Sequence, residues 1–301
     1  MLSVTYAKFG DPSVLEVTTM PEPHAGPGQV RIAVRVAGVN AFDWKVRAGY
    51  LQDAFPTPFP AIPGLEAAGV VDEVGEDVQG VSIGDEVFGL GNGTSAEFAV
   101  LDHFAVKPAG LSWEQAGGLS VVAETAVRAL DIIHPSAGQT LLIEGAAGGV
   151  GSTAAQFARA AGVTVIGTAS ESNHEYLRSL GVLPTTYGPG LAGRVAALAQ
   201  QGVDVVLDTA GQGSLTELIE IAGSPDNVVT IADFSAPEHG VRLTSQPQAF
   251  QALPEAARLA GEGKFTLAID SEFALADAAK AHERSQGGHV SGKIILTVAE
   301  A

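Results

Sequence analysis

The sequence contains no cysteine, which excludes disulfide bonds, thiolate-bound zinc and a cysteine nucleophile. Positive charge is also scarce: 16 Lys and Arg stand against 34 Asp and Glu, and the formal net charge is −18 at pH 7. Nucleic-acid phosphates and anionic membrane surfaces repel such a chain, so we expect neither as a partner. There is also no apolar run of about 18 residues and no signal-peptide pattern at the amino terminus. These features predict a cytoplasmic protein.

The first part of the chain has the pattern of an all-β domain. Hydrophobic residues make up 46% of the 301 residues, which is enough for two packed domains. Residues 1–118 contain short runs with alternating or β-branched residues, separated by turns rich in Gly, Pro and Asp. This pattern predicts a barrel-like or sandwich-like domain. Residues 55–64 contain four prolines and predict a stiff loop.

The period changes at about residue 123. Short apolar strands there alternate with segments of helical spacing, beginning with a strand over 139–144 and a helix from 152. Buried strands that alternate with helices predict a parallel, doubly wound α/β sheet of the nucleotide-binding type. The apolar strand at 292–298 is expected to return to the first domain. The predicted domains are therefore residues 1–122 completed by 247–301, and residues 123–246.

A glycine-rich turn joins the first strand of the second part to its helix. Residues 144–151 read EGAAGGVG, which gives A-x-G-x-x-G when counted from Ala146. Gly148 leaves room for the backbone to approach a pyrophosphate, and Gly151 lets the helix lie close to the strand. The helix N-terminus offers N–H groups and partial positive charge to phosphates. This combination predicts a dinucleotide-binding turn.

The end of the next strand indicates which dinucleotide is bound. An NAD site places Asp or Glu there to bind the ribose 2′-hydroxyl, but this sequence has Thr168, followed by Ser170. No carboxylate repels a 2′-phosphate, and Ser170 can donate a hydrogen bond to one, so NADP is favoured over NAD. The following residues, 171–174, include no Lys or Arg. We interpret Ser172 and Glu175 as a helix capping box.

Several short motifs together resemble one protein family over nearly the whole chain. The motifs are AGVNAFD at 37–43, RAGY at 47–50, PGLE at 63–66, GDEVFGL at 84–90 and GAAGGVG at 145–151. In this combination the sequence resembles the medium-chain dehydrogenase/reductase superfamily, in its zinc-independent quinone oxidoreductase branch. The resemblance implies a GroES-like β-rich domain, a Rossmann domain, and a homodimer formed through edge strands of the nucleotide-binding sheet.

The resemblance also implies that no zinc is bound. In zinc-dependent members, a Cys and a His hold the catalytic metal at the positions of Asn40 and Leu65. A leucine side chain has no lone pair to offer a metal, so alcohol oxidation by the zinc route is not expected. Glu66 is then expected to be a hydrogen-bonding strut at the start of a strand, outside the catalytic set.

The family pattern assigns candidate site residues. Asn40, Asp43 and Tyr50 are the candidate catalytic residues: the first two are expected near the nicotinamide ribose, and Tyr50 near the substrate carbonyl. The candidate cofactor-binding residues are Asn40, Thr125, Ala146, Gly148, Gly149, Val150, Gly151, Thr168, Ser170, Tyr187 and Ala232.

The expected activity is hydride transfer from NADPH to an electrophile that is already activated. Quinones and α,β-unsaturated carbonyls meet this condition, since their developing oxyanion needs only hydrogen-bond donors and a proton from water. Two alternatives remain open. One is an enoyl or alkenal reductase with little quinone activity, and the other is a redox sensor that binds NADPH without turnover.

Overall fold

The computed structural model divides into two compact units. The first comprises Met1–Val121 and Phe250–Ala301, and the second comprises Val122–Ala249. The structure describes residues 1–244 and 246–298. The predicted first domain extends to residue 301, and its last three residues lie outside the described residues.

The first unit is built mainly from β-strands. The elements are β1 (Leu2–Thr5), β2 (Glu16–Thr19), β3 (Val30–Val39), α1 (Ala41–Arg47), β4 (Glu66–Val74), β5 (Glu86–Leu90), β6 (Phe98–Leu101), β7 (His103–Val106), α2 (Trp113–Gly117), α8 (Ala252–Gly261), β14 (Ile269–Ala274), α9 (Ala278–Gln286) and β15 (Lys293–Thr297). The main sheet has the order β14-β15-β3-β4-β5-β7, with β6 paired to β3, and a separate ribbon is formed by β1 and β2.

The long strand β3 organises this sheet. Its first half alternates buried and partly buried residues, as expected when one face covers a core. Strands β4 and β15 both pair with β3 in antiparallel register, through contacts such as Ala37 with Ala67 and Val39 with Ile294. The last strand, β15, therefore lies in the same sheet as β3.

The second unit is a parallel sheet with helical connections. The elements are α3 (Ser120–Ile133), whose first two residues belong to the first unit, β8 (Thr140–Glu144), α4 (Gly149–Ala160), β9 (Thr164–Thr168), α5 (His174–Ser179), β10 (Leu183–Thr185), α6 (Leu191–Leu198), β11 (Val205–Asp208), α7 (Leu215–Ala222), β12 (Val228–Thr230) and β13 (Arg242–Leu243). The strands follow the order β10-β9-β8-β11-β12-β13, and each described pair is parallel. The predicted α/β fold class, with a β-rich domain and a doubly wound domain, is confirmed.

One local prediction was wrong. Ser172 and Glu175 do not form a capping box, because Ser172 lies inside a 3₁₀ turn over Glu171–Asn173 and α5 begins at His174. The Ser172 hydroxyl is 3.0 Å from the Ser170 hydroxyl instead. The N-cap position of α5 is taken by Asn173, so Ser172 is not placed to cap this helix.

Candidate functional site

A buried polar cluster lies in the first unit around Asn40. The Asn40 Nδ2 donates to Glu66 Oε1 at 2.9 Å, and the Lys293 ammonium donates to Glu66 Oε1 at 2.8 Å and also to Asn40 Oδ1. The Lys293 and Glu66 side chains are only 4% and 0% exposed. The other Glu66 oxygen accepts the Val121 N–H at 2.7 Å, at the start of α3. The Asn40 amide, the Glu66 carboxylate and the Lys293 ammonium each therefore have hydrogen-bond partners within the first unit.

Sheet topology explains why these residues meet. Asn40 follows the end of β3, whereas Glu66 and Lys293 begin β4 and β15. Because β4 and β15 flank β3 in antiparallel order, their starts lie beside its end. A Cβ on Gly38 would come within 2.3 Å of Glu66 Oε1, so the absence of a side chain there makes room for the carboxylate.

Asp43 extends the cluster into helix α1. Its Oδ2 accepts the Asn40 N–H at 2.7 Å, as a carboxylate does in the first turn of a helix. Burial raises the pKa of the Asp43 carboxyl to about 7. The Glu66 charge adds to this rise, whereas the Asn40 hydrogen bond and the Lys293 charge oppose it. Asp43 can therefore change its protonation state near neutral pH.

The third candidate catalytic residue lies at the surface. The Tyr50 side chain is 70% exposed, and its ring packs edge-on against Trp44 with a centroid distance of 5.8 Å. The structure thus brings Asn40 and Asp43 into one hydrogen-bonded cluster and leaves the Tyr50 ring accessible after α1.

The glycine turn lies in the second unit, between β8 and α4. Gly148 is the N-cap of α4 and provides no side chain to cap the first helical N–H groups. A Cβ on Gly151 would lie 2.4 Å from the Gly145 oxygen and 2.8 Å from the Ala146 Cα, so only glycine lets the helix lie this close to the turn. The turn therefore has the free N–H groups and close packing that a pyrophosphate site requires.

Most other candidate cofactor residues follow the carboxyl ends of the parallel strands. Ser170 comes after β9, Tyr187 after β10 and Ala232 after β12. The Tyr187 side chain is exposed, and the Ser170 hydroxyl accepts a 3.2 Å hydrogen bond from the Asn173 amide. In an open parallel sheet these ends share one edge, where ligands bind.

The Thr168 side chain is hydrogen-bonded to the glycine turn and is not exposed to solvent. It is fully buried, and its hydroxyl accepts the Gly145 N–H at 3.1 Å. Its carbonyl accepts the Ala146 N–H at 3.0 Å. Thr168 therefore holds the glycine turn in place.

Thr125 lies on α3 beside a buried ion pair. The Arg128 Nε donates to Glu124 Oε1 at 2.8 Å, and Arg128 Nη2 lies 3.3 Å from the Thr125 hydroxyl. Glu124 Oε1 also accepts the Ala249 N–H at 3.0 Å. These contacts fix the first turns of α3 to the segment that ends the second unit.

Two carboxyl groups face each other where the strand order reverses. Glu144 ends β8 and pairs in register with Asp208 of β11. Burial raises the pKa of the Glu144 carboxyl to about 7; the Ser214 hydrogen bond opposes this rise, and Asp208 adds to it. Asp208 Oδ1 accepts the N–H groups of Ala210 and Gly211 at 2.8 and 2.9 Å.

This pair predicts a loss of stability with rising pH. The folded pKa of Glu144, about 7, lies above its ordinary value of 4.5, so the unfolded chain ionises first and stability falls between these two values. We expect Glu144→Gln to keep the fold, because the amide carries no charge at any pH. The unfolding free energy of this variant relative to the wild type should rise with pH from 4.5 to 7.5, by about 2–3 kcal/mol in total. Urea unfolding across this range measures the gain. The exposed Glu175→Gln is the control and should show no such gain; an equal gain there would contradict the assignment.

Sequence reasoning missed Lys293 and placed Glu66 outside the site. Lys293 is the single charged residue in the otherwise apolar stretch from 292 to 298, and Glu66 stands in a run of small and apolar residues. A lone charge in a buried strand needs a buried partner, which is a signal of their pairing.

Two family models match the chain. Residues 26–129 match the alcohol dehydrogenase GroES-like domain, and residues 190–296 match the zinc-binding dehydrogenase model. The chloroplast envelope quinone oxidoreductase homolog of Arabidopsis thaliana is 30% identical, with 98% of each chain covered. The chain belongs to the medium-chain dehydrogenase/reductase superfamily, in its quinone oxidoreductase branch.

Other relatives of this superfamily member include much longer proteins. The spectinabilin polyketide synthase system protein NorB of Streptomyces orinoci is 40% identical over 67% of the chain, which spans only 10% of that protein. The chain likewise spans 65% of the Danio rerio synaptic vesicle membrane protein VAT-1 homolog.

Solved structures of the superfamily share the whole fold. The quinone oxidoreductase from Coxiella burnetii superposes with a TM-score of 0.84 at 30% identity, covering 99% of both chains. A mycobacterial protein solved in complex with NADPH has a TM-score of 0.81 at 25% identity, covering 99% of this chain and 100% of that one. The CurK enoyl reductase has a TM-score of 0.87 at 25% identity, covering 99% of both.

The described residues contain neither a metal-binding cluster nor a helix that could span a membrane. Within residues 1–244 and 246–298, no group of three or more His, Asp or Glu side chains is placed to hold a metal ion. In the same part of the chain, no helix is long and apolar enough to span a bilayer.

Proposed function

We propose that the protein is an NADPH-dependent reductase that transfers hydride to quinones or α,β-unsaturated carbonyls. The observation that carries the proposal is the glycine turn at the N-terminus of α4, beside the point where the order of the parallel strands reverses between β8 and β11. Dinucleotides bind at such a point in open α/β sheets. Membership of the quinone oxidoreductase branch supports the reaction class.

The residues present fit a dinucleotide. The N–H groups at Gly149 and Val150 begin α4 without a side-chain cap, so a pyrophosphate can accept hydrogen bonds from them. Gly151 keeps the helix against the turn, and Thr168 supports the turn from β9. Ala146, Gly148, Tyr187 and Ala232 complete the proposed cofactor set in this unit.

NADPH is proposed over NADH because the end of β9 carries no acid. Thr168, Ala169 and Ser170 stand at the strand end where an NAD site carries its ribose-binding acid, and the first carboxylate follows only at Glu171. A hydroxyl at Ser170 can donate to the phosphate oxygens. The mycobacterial relative solved with NADPH supports the same choice.

This choice predicts the effect of an acid at position 170. Ser170→Asp is expected to weaken NADPH binding about tenfold or more, because its charge repels the 2′-phosphate, and to leave NADH binding within about threefold. Fluorescence titration with both cofactors measures the two dissociation constants. Ser179→Asp, on the exposed end of α5, is the matched control. Equal weakening of both cofactors by Ser170→Asp would contradict the assignment.

Bound NADPH would supply the hydride, and the chain would supply orientation and a titrating proton. Asn40 and Asp43 are proposed near the nicotinamide ribose, with Thr125 at the nicotinamide end and Tyr50 toward the substrate carbonyl. Burial raises the pKa of the Asp43 carboxyl to about 7, so this group can gain or lose a proton near neutral pH. Hydrogen-bond donors in the site would stabilise the oxyanion that develops on the substrate.

The test is turnover with NADPH on a small panel of acceptors. We expect oxidation of NADPH with 1,4-benzoquinone or with a simple unsaturated aldehyde, and release of the reduced product. A protein that binds NADPH tightly and reduces no member of the panel would contradict the proposal and would favour the sensor alternative.

An enoyl reductase is a second candidate function, favoured by the likeness to the CurK enoyl reductase and to polyketide synthase proteins. Turnover on the unsaturated aldehyde, with at least about tenfold lower kcat/KM on the quinone, would favour this candidate. A homodimer in the cytoplasm remains a prediction from the sequence, and a sedimentation measurement that shows only monomer would contradict the dimer.

A further inference from the structure

We propose that Lys293 is a positioning residue which, with Glu66, locks the Asn40 side-chain amide in a single orientation. The proposal rests on the proposed function insofar as Asn40 contacts bound cofactor or substrate. It adds two residues to the functional set that neither sequence reasoning nor the family pattern assigns to it.

The lock follows from the partners at the two ends of the amide. The Lys293 ammonium has only donors, and it faces Asn40 Oδ1; the Glu66 carboxylate has only acceptors, and it faces Asn40 Nδ2 at 2.9 Å. A flipped amide would set donor against donor and acceptor against acceptor. Both partners are charged, and hydrogen bonds to charged groups are about twice as strong as neutral ones.

The surrounding backbone is shaped around the pair. A Cβ on Gly38 would collide with the Glu66 carboxylate, and a Cβ on Gly118 would press against the Lys293 side chain at 3.2 Å. Glycines therefore lie against both members of the ion pair, and both charged groups are almost fully buried. Replacing such a pair with apolar residues of similar volume is often neutral or stabilising, so its presence favours a positioning role.

The lock also links the site to helix α3. Glu66 Oε2 accepts the Val121 N–H, and Thr125 lies one turn further along the same helix. The carboxylate that orients Asn40 therefore also holds the start of the helix that carries Thr125.

The first test removes the charges as a pair. The double variant Glu66→Gln, Lys293→Met leaves no unpaired buried charge. The glutamine side chain introduced at position 66 can either donate to or accept from Asn40, so the Asn40 amide is free to flip. We expect kcat/KM to fall about 10- to 100-fold, because the Asn40 donor and acceptor no longer keep fixed places. In an Asn40→Ala background the same two changes should cost less than about threefold, since the residue they orient is absent.

The second readout does not depend on turnover. The chain has four asparagines, so selective nitrogen-15 labelling gives a side-chain amide spectrum that is readily assigned. In the wild type, hydrogen exchange at the Asn40 amide should be slow, and in the double variant at least about tenfold faster. Gly38→Ala, which keeps every charge and displaces the Glu66 carboxylate, should accelerate this exchange as well.

Lys107→Met is the control, because it removes a lysine of the same unit whose partner, Glu86, is half exposed. It should leave both the exchange and kcat/KM unchanged. Unchanged exchange at Asn40 in the double variant would overturn the lock. Faster exchange with unchanged NADPH affinity and kcat/KM would overturn the positioning role. A wild type that exchanges slowly and reduces no acceptor would instead count against the proposed function alone.

Discussion

Gly151→Ala is expected to weaken NADPH binding by about tenfold or more and to lower the free energy of unfolding by about 1–3 kcal/mol. The added methyl group would lie 2.4 Å from the Gly145 oxygen and 2.8 Å from the Ala146 Cα, and both contacts are with backbone. The turn or the helix must therefore shift, which moves the N–H groups that are proposed to bind the pyrophosphate. Fluorescence titration and urea unfolding measure the two effects.

Gly193→Ala is the matched control for this prediction. Gly193 lies in α6 of the same unit, and a Cβ there would meet nothing within 4 Å. Because alanine favours a helix over glycine by about 0.5–1 kcal/mol, this variant should be as stable as the wild type or more so, with unchanged NADPH affinity. Wild-type affinity in Gly151→Ala would count against the turn as the cofactor site.

Lys293→Met alone is expected to lower the free energy of unfolding by about 3–5 kcal/mol. The change removes the ammonium from a Glu66 carboxylate that is 0% exposed, so a charge is left buried without its ion-pair partner. Urea unfolding at pH 8, where an ordinary carboxyl is ionised, shows the loss directly. Adding Glu66→Gln to this variant should restore most of the stability, since the unpaired charge is then gone.

The same substitution at Lys107 supplies the comparison. Lys107 pairs with Glu86 at 2.9 Å, but the Glu86 side chain is 49% exposed, so water can solvate it when the lysine is lost. Lys107→Met should therefore cost about 1 kcal/mol or less. If both variants lose the same stability, burial of the partner does not control the cost.

Local patterns predicted much of the fold. Alternation and turn residues indicated the strands of the first unit, and the strand–glycine–helix pattern over 139–151 indicated β8, the turn and α4. Both patterns depend only on residues that are close together in the sequence. The predicted capping box at Ser172 was wrong because its motif is short and common, and the helix begins at His174, after a 3₁₀ turn that contains Ser172.

The sequence by itself determined two features: the change from strand-like to helix-like spacing of apolar residues, and the glycine turn of a nucleotide-binding fold. Both can be found in the sequence because strand and helix periodicity are local properties. Only the tertiary structure decided that Asn40, Glu66 and Lys293 meet, since Lys293 lies 227 positions from Glu66 and reaches it through the register of three strands. The same is true of Glu144 and Asp208, which are neighbours only because β8 and β11 pair in parallel. Burial in the folded sheet, which no local pattern specifies, turns these ordinary charges into an ion pair and a carboxyl that holds its proton near neutral pH.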